Sequence, residues 1–195
     1  MKSKSGSVLY LVLILSLCLT VSQNILAQQQ SELPKEKQTK LGLYLTSKEA
    51  YEMWKADPDK IKILDVRTLE EYIYIGHAPM AWNIPVFFQS HNWDESKKHF
   101  SMSPNPDFMK HINEVFKTDD TILVTCRSGG RSAMAVNRLT VEGFKNVYNI
   151  TDGFEGDTVN DTESVFIGQR MKNGWKNSGL PFTYKLDPNL LRIDQ

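Results

Sequence analysis

A cysteine, two glycines and two arginines lie together at residues 126–132, in the order Cys-Arg-Ser-Gly-Gly-Arg-Ser. The β-branched apolar run 121–125 precedes them and predicts a buried strand, whereas residues 133–139 have a helical pattern. Cys126 is therefore expected at a strand-to-helix turn. Backbone N–H groups at such a turn can form an anion-binding nest, and the first helical turn adds unpaired donors and partial positive charge.

The same turn favours a reactive thiol. Arg127 and Arg131 place cationic charge beside Cys126, so we expect a thiolate near neutral pH that can act as a nucleophile. A free cysteine is more often a small buried hydrophobic residue, but two glycines and two arginines argue against that role here. Four residues separate Cys126 from Arg131, one fewer than in cysteine-dependent phosphatases. The narrower loop disfavours a phosphate substrate.

Length and composition indicate one globular domain. The chain has 195 residues, within the roughly 100–200 typical of a domain. Its 23 basic and 23 acidic residues balance and form no run of one sign, so nucleic acid is not an expected partner. No Cys/His cluster has the spacing of metal ligands, and the sequence predicts neither a metal nor a cofactor.

The N-terminal segment predicts export. Lys2 and Lys4 precede the apolar run 8–21, and a polar Gln-rich stretch follows, which is typical of a secretory signal peptide. We expect residues 1–27 to be cleaved and the mature protein to be periplasmic. An uncleaved membrane anchor is the alternative, although the run is shorter than the roughly 20 residues of a spanning helix. Cleavage leaves Cys126 as the only cysteine, so no intramolecular disulfide is expected.

Strands and helices alternate after residues 28–40, whose Gln, Lys and Glu content predicts a flexible tether. Strands are predicted near 43–45 and at 61–66, 81–85, 121–125 and 146–150, and helices after the capping-box patterns 46–49 and 68–71 and at 107–116 and 133–139. This alternation predicts an α/β fold with a central parallel sheet of about five strands and helices on both faces.

Two segments depart from the alternation. Residues 86–106 carry four aromatic residues and two prolines, and predict a long irregular loop. This loop is either a lid over the site or a segment whose aromatic residues pack on the core. Residues 156–195 are polar and turn-rich, and predict an extension that packs on the domain through Phe166, Trp175, Phe182 and Tyr184.

Four ordered segments resemble the rhodanese family of sulfurtransferases. They are Asp65-Val66-Arg67 with Glu71-Tyr72, Gly76-His77 through Pro85, the loop 126–132, and 143–148 with Asp152-Gly153. The resemblance implies a rhodanese-like domain over 41–155. Residues 86–106 and the tail resemble an exported bacterial subgroup of the family.

The resemblance also implies roles for the loop. Cys126 would accept sulfur from thiosulfate or a similar donor as a persulfide, and the amides of residues 127–132 would hold its negative charge. The substrate-binding residues are then Arg127, Ser128, Gly129, Gly130, Arg131 and Ser132. Arg127 and Arg131 would attract the anionic donor by charge and forked hydrogen bonds. An inward salt bridge is the alternative role for Arg131.

Four further residues are expected to support the site. Asp65 resembles the carboxylate that braces the loop in family members, and Arg67 and Glu71 resemble a structural ion pair. His77 is expected to satisfy a buried hydrogen bond, with a catalytic base as the less favoured role.

The implied function is sulfur transfer to a thiol, sulfide or cyanide acceptor. The alternative is a non-catalytic persulfide carrier that docks on a respiratory or sulfur-oxidising enzyme of the envelope.

Overall fold

The computed structural model describes residues 33–192. The predicted signal peptide and residues 28–32 of the predicted tether lie outside this range. Within the range, no helix combines the length and the apolar character needed to cross a membrane.

The described residues form a mixed α/β fold. In chain order the elements are β1 (Tyr44–Leu45), α1 (Ser47–Ala56), β2 (Ile61–Asp65), α2 (Leu69–Tyr74), β3 (Ala81–Asn83), β4 (Phe87–Asp94), β5 (His99–Pro104), α3 (Phe108–Val115), β6 (Thr121–Thr125), α4 (Gly130–Val141), β7 (Asn146–Ile150), β8 (Asp157–Thr158) and β9 (Arg170–Lys172). Short 3-10 helices lie at Lys35–Lys37 and Pro188–Leu190.

Five strands form the central sheet in the order β1-β7-β6-β2-β3, and every neighbouring pair is parallel. Asp65 at the end of β2 pairs in register with Thr125 at the end of β6. The carboxyl ends of these strands therefore meet at one edge of the sheet, where Cys126 follows β6 directly. This architecture confirms the predicted parallel α/β fold.

The sheet is covered on both faces, because alternate residues of its central strands point to opposite sides. Leu64 and Val124 contact a core that contains buried residues of α3 and α4. Ile63 and Leu123 belong to a second core with Ala50 of α1. Burial on both sides explains why these strands are nearly continuous apolar runs.

Two side-chain caps begin the first two α-helices, as the sequence predicted. The Thr46 side chain accepts from the Glu49 backbone amide, and Glu49 accepts in return from the Thr46 amide. Thr68 and Glu71 make the same reciprocal pair at the start of α2. Each cap satisfies amides that the helix itself leaves unpaired.

The prediction of an irregular loop over 86–106 was wrong, because this segment is an antiparallel β-hairpin of β4 and β5. Most of its side chains are exposed on both faces, so its sequence lacks the apolar alternation of a half-buried strand. Trp93 and Phe100 pack edge to face on each other, with ring centroids 5.3 Å apart, rather than on the core. Only the base of the hairpin contacts the core, through Phe87.

The C-terminal segment packs on the second core. Trp175 is 1% exposed, and its Nε1 donates to the Pro181 carbonyl oxygen. Thr183 forms a β-bridge with His77. Of the aromatic contact points predicted from sequence, Trp175 is buried, whereas Phe166, Phe182 and Tyr184 are partly exposed.

The described part of the expected tether also contacts the domain. The Lys37 side chain makes a salt bridge to Asp157 at 2.8 Å, and the Lys40 amide donates to Asn137 of α4. Thr39 is buried. These contacts hold the segment against α4 and β8.

Candidate active site

The loop between β6 and α4 encloses the Cys126 thiol. Cys126 is 1% exposed and belongs to the larger core. Its Sγ accepts from the Gly129 backbone amide at 3.2 Å and lies 3.4 Å from the Ser132 hydroxyl. The predicted strand-to-helix turn therefore places the thiol at the centre of its own loop.

Several amides of this loop have no protein acceptor. Within residues 33–192, five backbone N–H groups of the loop make no hydrogen bond, those of Arg127, Ser128, Gly130, Arg131 and Ser132. Three of them lie in the first turn of α4, where the helix dipole is positive. A loop with this many unpaired donors can bind an anion or stabilise a charged sulfur.

Two glycines allow the turn after β7 to lie against the loop. Gly129 has φ +96°, and a Cβ at this position would lie 2.2 Å from the Thr151 carbonyl oxygen. Gly153 has φ +63°, and its Cβ would lie 2.6 Å from the Ser128 nitrogen. The Phe154 amide donates to the Cys126 carbonyl oxygen at 2.8 Å. Only glycine at both positions permits this close backbone packing.

A buried asparagine, which the sequence did not single out, links the loop to its surroundings. Asn149 Oδ1 accepts from the Ser132 hydroxyl at 2.6 Å, while Asn149 Nδ2 donates to the carbonyl oxygens of Gly129 and Lys37. Asn149 is fully buried at the end of β7. Its side chain therefore fixes both the helix start and the hydroxyl next to the thiol.

Arg131 makes a salt bridge with Glu71 of α2. Its two terminal nitrogens each donate to one oxygen of Glu71 at 2.6 Å, and both side chains are largely buried. Burial alone would raise the pKa of Glu71, but the hydrogen bonds and charge of Arg131 outweigh it and lower that pKa. The inward ion pair, which was expected as the alternative role for Arg131, is therefore present in the structure.

The predicted pair of Arg67 with Glu71 is wrong. The buried Arg67 guanidinium instead donates to both oxygens of Asp65, with the shortest contact at 2.7 Å, and to the Gly76 carbonyl oxygen. Asp65 and Arg67 lie two residues apart at the end of β2, which brings their side chains together. Glu71 faces α4 and Arg131 instead, because it lies in the first turn of α2.

His77 has the expected buried environment. Its Nδ1 lies 3.0 Å from the Tyr72 carbonyl oxygen, and its ring stacks on the Tyr72 ring with centroids 3.7 Å apart. Burial lowers the pKa of His77, against the opposing effect of the Tyr72 hydrogen bond. These contacts fit a structural histidine, placed between α2 and the C-terminal segment.

Arg127 differs from Arg131 in its surroundings. It is exposed, and within residues 33–192 its side chain makes no hydrogen bond or salt bridge, although its carbonyl oxygen accepts from the Glu155 amide at 3.0 Å. Its side chain lines a groove of about 640 Å³ between the loop and the β4–β5 hairpin. A second cavity, of about 690 Å³, lies beside Ser128 and Gly130.

The two cavities differ in charge. The second cavity is lined by three carboxylates, those of Glu36, Asp152 and Asp157, and by three cations, those of Lys37, Arg170 and Lys172. No acidic residue lines the hairpin groove, which both arginines of the loop reach. The hairpin groove is therefore the cavity with a net positive lining, which attracts an anionic ligand.

Comparisons with known proteins agree with this geometry. The sequence model of the Rhodanese-like domain matches residues 46–158. The uncharacterized protein RC0915 of Rickettsia conorii is 33% identical over 140 residues, which cover 72% of this chain and 96% of the relative. An Arabidopsis thaliana protein named Thiosulfate sulfurtransferase 16, chloroplastic, is 39% identical over 93 residues, 48% of this chain and 70% of that protein.

A solved structure shows the same fold. The crystal structure of Rv0390 from M. tuberculosis matches with a TM-score of 0.57 and 26% sequence identity, over 72% of this chain and 96% of that chain. The family match spans more than half of the sequence and includes the whole Cys126 loop. The chain belongs to the rhodanese-like domain family.

Proposed function

We propose that this protein is a sulfurtransferase that carries sulfane sulfur as a persulfide on Cys126. The observation that supports the proposal most is the loop itself, in which the buried sulfur accepts from the Gly129 amide and five other backbone amides find no acceptor among residues 33–192. The similarity to a protein named as a thiosulfate sulfurtransferase supports the same chemistry.

In the first step, the Cys126 thiolate attacks the outer sulfur of thiosulfate. A new sulfur–sulfur bond forms as the bond within thiosulfate breaks, and sulfite leaves with the bonding electron pair. Arg127 is the cation available to the donor, because Glu71 already neutralises Arg131. Positive charge that faces the departing sulfite stabilises the transition state.

The resulting persulfide retains negative charge next to the loop. The unpaired amides and the partial positive charge at the start of α4 stabilise that charge. In the second step, a thiolate, sulfide or cyanide attacks the outer sulfur. The acceptor takes this sulfur, and the bonding electrons return to Cys126 as a thiolate.

Intact-protein mass spectrometry tests the proposal. Incubation with thiosulfate should add one sulfur atom to the protein, and cyanide should remove it as thiocyanate. Cys126→Ser should abolish both steps, whereas the full-length control Cys18→Ser should behave as the unmodified chain does. A protein that gains no sulfur on Cys126 would contradict the proposal.

The same experiment distinguishes a carrier from an enzyme. An enzyme should produce many thiocyanate molecules per chain, whereas a carrier should load one sulfur and release it only slowly without its partner. The exposed apolar side chains of the hairpin, Trp93 and Phe100, are the feature that favours a docking carrier.

A further inference from the structure

Glu155 is a carboxylate beside the Cys126 loop that the proposed sulfur transfer does not use. Its backbone amide donates to the Arg127 carbonyl oxygen at 3.0 Å, next to the bond from the Phe154 amide to the Cys126 carbonyl oxygen. Its side chain is 18% exposed. Glu155 Oε1 is buried and makes no hydrogen bond with any residue in 33–192. Buried carboxylate oxygens normally accept hydrogen bonds, so this one requires a physical explanation.

The cation that faces Glu155 is already held by another carboxylate. Arg67 Nη1 lies 3.7 Å from Glu155 Oε1, too far for a hydrogen bond, and has no hydrogen-bond partner among the described residues. The other nitrogens of the Arg67 guanidinium donate to Asp65 and to the Gly76 carbonyl oxygen. One buried positive charge therefore stands between two carboxylates.

The buried charges around the loop do not balance. Arg131 and Glu71 neutralise each other through two hydrogen bonds of 2.6 Å. Arg67 and Asp65 form the second closed pair, with a shortest contact of 2.7 Å. Glu155 is the remaining member of this cluster. When all of its members are ionised, the cluster therefore carries one excess negative charge.

The other carboxylates near the loop are hydrogen-bonded, paired or exposed. Asp152 accepts from the amide and hydroxyl of one residue and from the amide of another. Asp157 makes a salt bridge with Lys37 at 2.8 Å. Glu36 is exposed to solvent, which screens its charge. The excess charge is therefore assigned to Glu155.

The surroundings of Glu155 favour uptake of a proton. Burial raises the pKa of Glu155, and the charge of Glu71 acts in the same direction. The positive charges of Arg67, Arg127 and Arg170 oppose this effect but do not cancel it. Glu155 therefore binds a proton more readily than an exposed glutamate does.

Cys126 adds negative charge to the same region when it reacts, because its thiolate and its persulfide are both anions. The cations of the loop compensate this charge only in part. Arg131 interacts with the charge of Cys126 but is already neutralised by Glu71, and Arg127 is exposed. Two uncompensated negative charges in one partly buried region oppose each other's ionisation, so their protonation is coupled.

We propose that Glu155 and Cys126 share one negative charge, so that Glu155 takes up a proton when Cys126 becomes a thiolate or a persulfide. The inference rests on the proposed function of Cys126. The bond between sulfur and hydrogen breaks, and its electron pair stays on Cys126. The proton passes to solvent, and Glu155 takes up a proton from solvent, so the net charge of the region is unchanged. Glu155 is thus a positioning residue that acts through its charge and sets the pH above which Cys126 reacts.

The test measures how the alkylation of Cys126 by iodoacetamide depends on pH, with the full chain carrying Cys18→Ser so that Cys126 is the only thiol. Iodoacetamide reacts with the thiolate and is itself neutral, so attraction of an anionic reagent does not affect its rate. In Glu155→Gln, the midpoint pH of alkylation should fall by about 0.5–1 unit, because a neutral amide no longer opposes the thiolate. Below the midpoint, alkylation should be about threefold to tenfold faster.

Two control variants isolate the charge of Glu155. Glu155→Asp keeps the negative charge and should keep the midpoint within about 0.3 units of that of the parent chain. Glu163→Gln removes an exposed carboxylate of the C-terminal segment and should not move the midpoint, because solvent and salt screen that charge. Glu155 Oε1 accepts no hydrogen bond from residues 33–192, so urea unfolding should show that Glu155→Gln folds normally.

The outcomes separate this inference from the proposed function. If thiosulfate fails to load Cys126 but the alkylation midpoint falls in Glu155→Gln, the sulfurtransferase proposal is wrong and the coupled charge stands. If Cys126 loads normally but the midpoint is the same in Glu155→Gln and the parent chain, the proposed function stands and the coupling is wrong. An equal shift in Glu163→Gln would also overturn the coupling, as would a change in unfolding free energy alone.

Discussion

The Cys126 loop and the β4–β5 hairpin form opposite sides of one groove but are built in different ways. Cys126 is 1% exposed, and its loop is held by buried contacts from the core and from Asn149. On the hairpin, Phe100 is 51% exposed, and the two strands bond mainly to each other. This difference indicates that the position of Cys126 is fixed by the fold, whereas the hairpin can vary without disturbing it.

The largest combined effect on stability and sulfur loading is expected from Gly129→Ala in the loop. The new Cβ would lie 2.2 Å from the Thr151 carbonyl oxygen in a backbone with φ +96°. We expect a loss of more than about 3 kcal/mol in the free energy of unfolding, together with loss of sulfur loading. Urea unfolding measures the first effect and mass spectrometry the second.

Gly168→Ala is the matched control, because φ there is +77° but no atom lies within 4 Å of the added Cβ. It should lower the free energy of unfolding by only about 1–2 kcal/mol, which is the cost of the backbone strain. Equal losses in the two variants would show that close packing on the loop is unimportant.

Asn149→Ala should have the next largest effect. It removes the donor shared by the Gly129 and Lys37 carbonyl oxygens and the acceptor of the Ser132 hydroxyl. We expect a loss of about 1–3 kcal/mol in unfolding free energy. Asn146→Ala on the same strand is the control, since that side chain is exposed and should cost under about 0.5 kcal/mol. Equal losses of unfolding free energy in the two variants would argue against the buried hydrogen-bond network of Asn149.

Glu71→Gln should lower the unfolding free energy by about 1–3 kcal/mol at neutral pH, because it leaves the Arg131 charge without its carboxylate. The pKa of Glu71 is lowered in the folded state, so its ion pair stabilises the fold above the ordinary value of 4.5. That contribution is lost as pH falls from 4.5 through the folded pKa. The difference in unfolding free energy between Glu71→Gln and the unmodified protein should therefore become smaller at acidic pH.

Denaturant unfolding at several pH values measures the difference in unfolding free energy between Glu71→Gln and the unmodified protein. Glu70→Gln, at an exposed position of the same helix, is the control and should show little change at any pH. A difference that stays constant down to strongly acidic pH would contradict the role of the ion pair.

The smallest effect is expected from Trp93→Ala in the hairpin. Its indole contacts Phe100 and donates to Glu95, but it is 49% exposed. We expect a loss of about 0.5–1.5 kcal/mol with unchanged loading of Cys126 by thiosulfate. Trp175→Ala, which empties a buried site, should cost about 3–5 kcal/mol. A hairpin variant that lost sulfur loading would show that the two regions are not independent.

The partners of the charged residues could not be predicted correctly. The family resemblance implied an ion pair of Arg67 with Glu71, but Arg67 pairs with Asp65 and Glu71 with Arg131. Spacing along the chain gives no measure of which element a side chain will face. The pairing depends on how α2 lies against the start of α4, which is a property of packing.

The predictable features were those with a local cause. The capping pairs of Thr46 and Thr68, the buried strands and the turn that contains Cys126 each depend on residues within a few positions. The hairpin was missed because both of its faces are exposed. Its sequence therefore lacks the alternation of apolar and polar residues that burial of one face would require.

The sequence by itself determined the strands of the parallel sheet, the helices beside them and the presence of a cysteine in a glycine-rich turn. Only the tertiary structure brought Asn149 to the Ser132 hydroxyl, paired Glu71 with Arg131 and placed the hairpin beside Arg127. The physical reason is the distance along the chain over which each kind of interaction acts. Backbone preferences and apolar periodicity act between near neighbours in the chain, whereas hydrogen bonds and ion pairs between distant segments form only when packing brings those segments together.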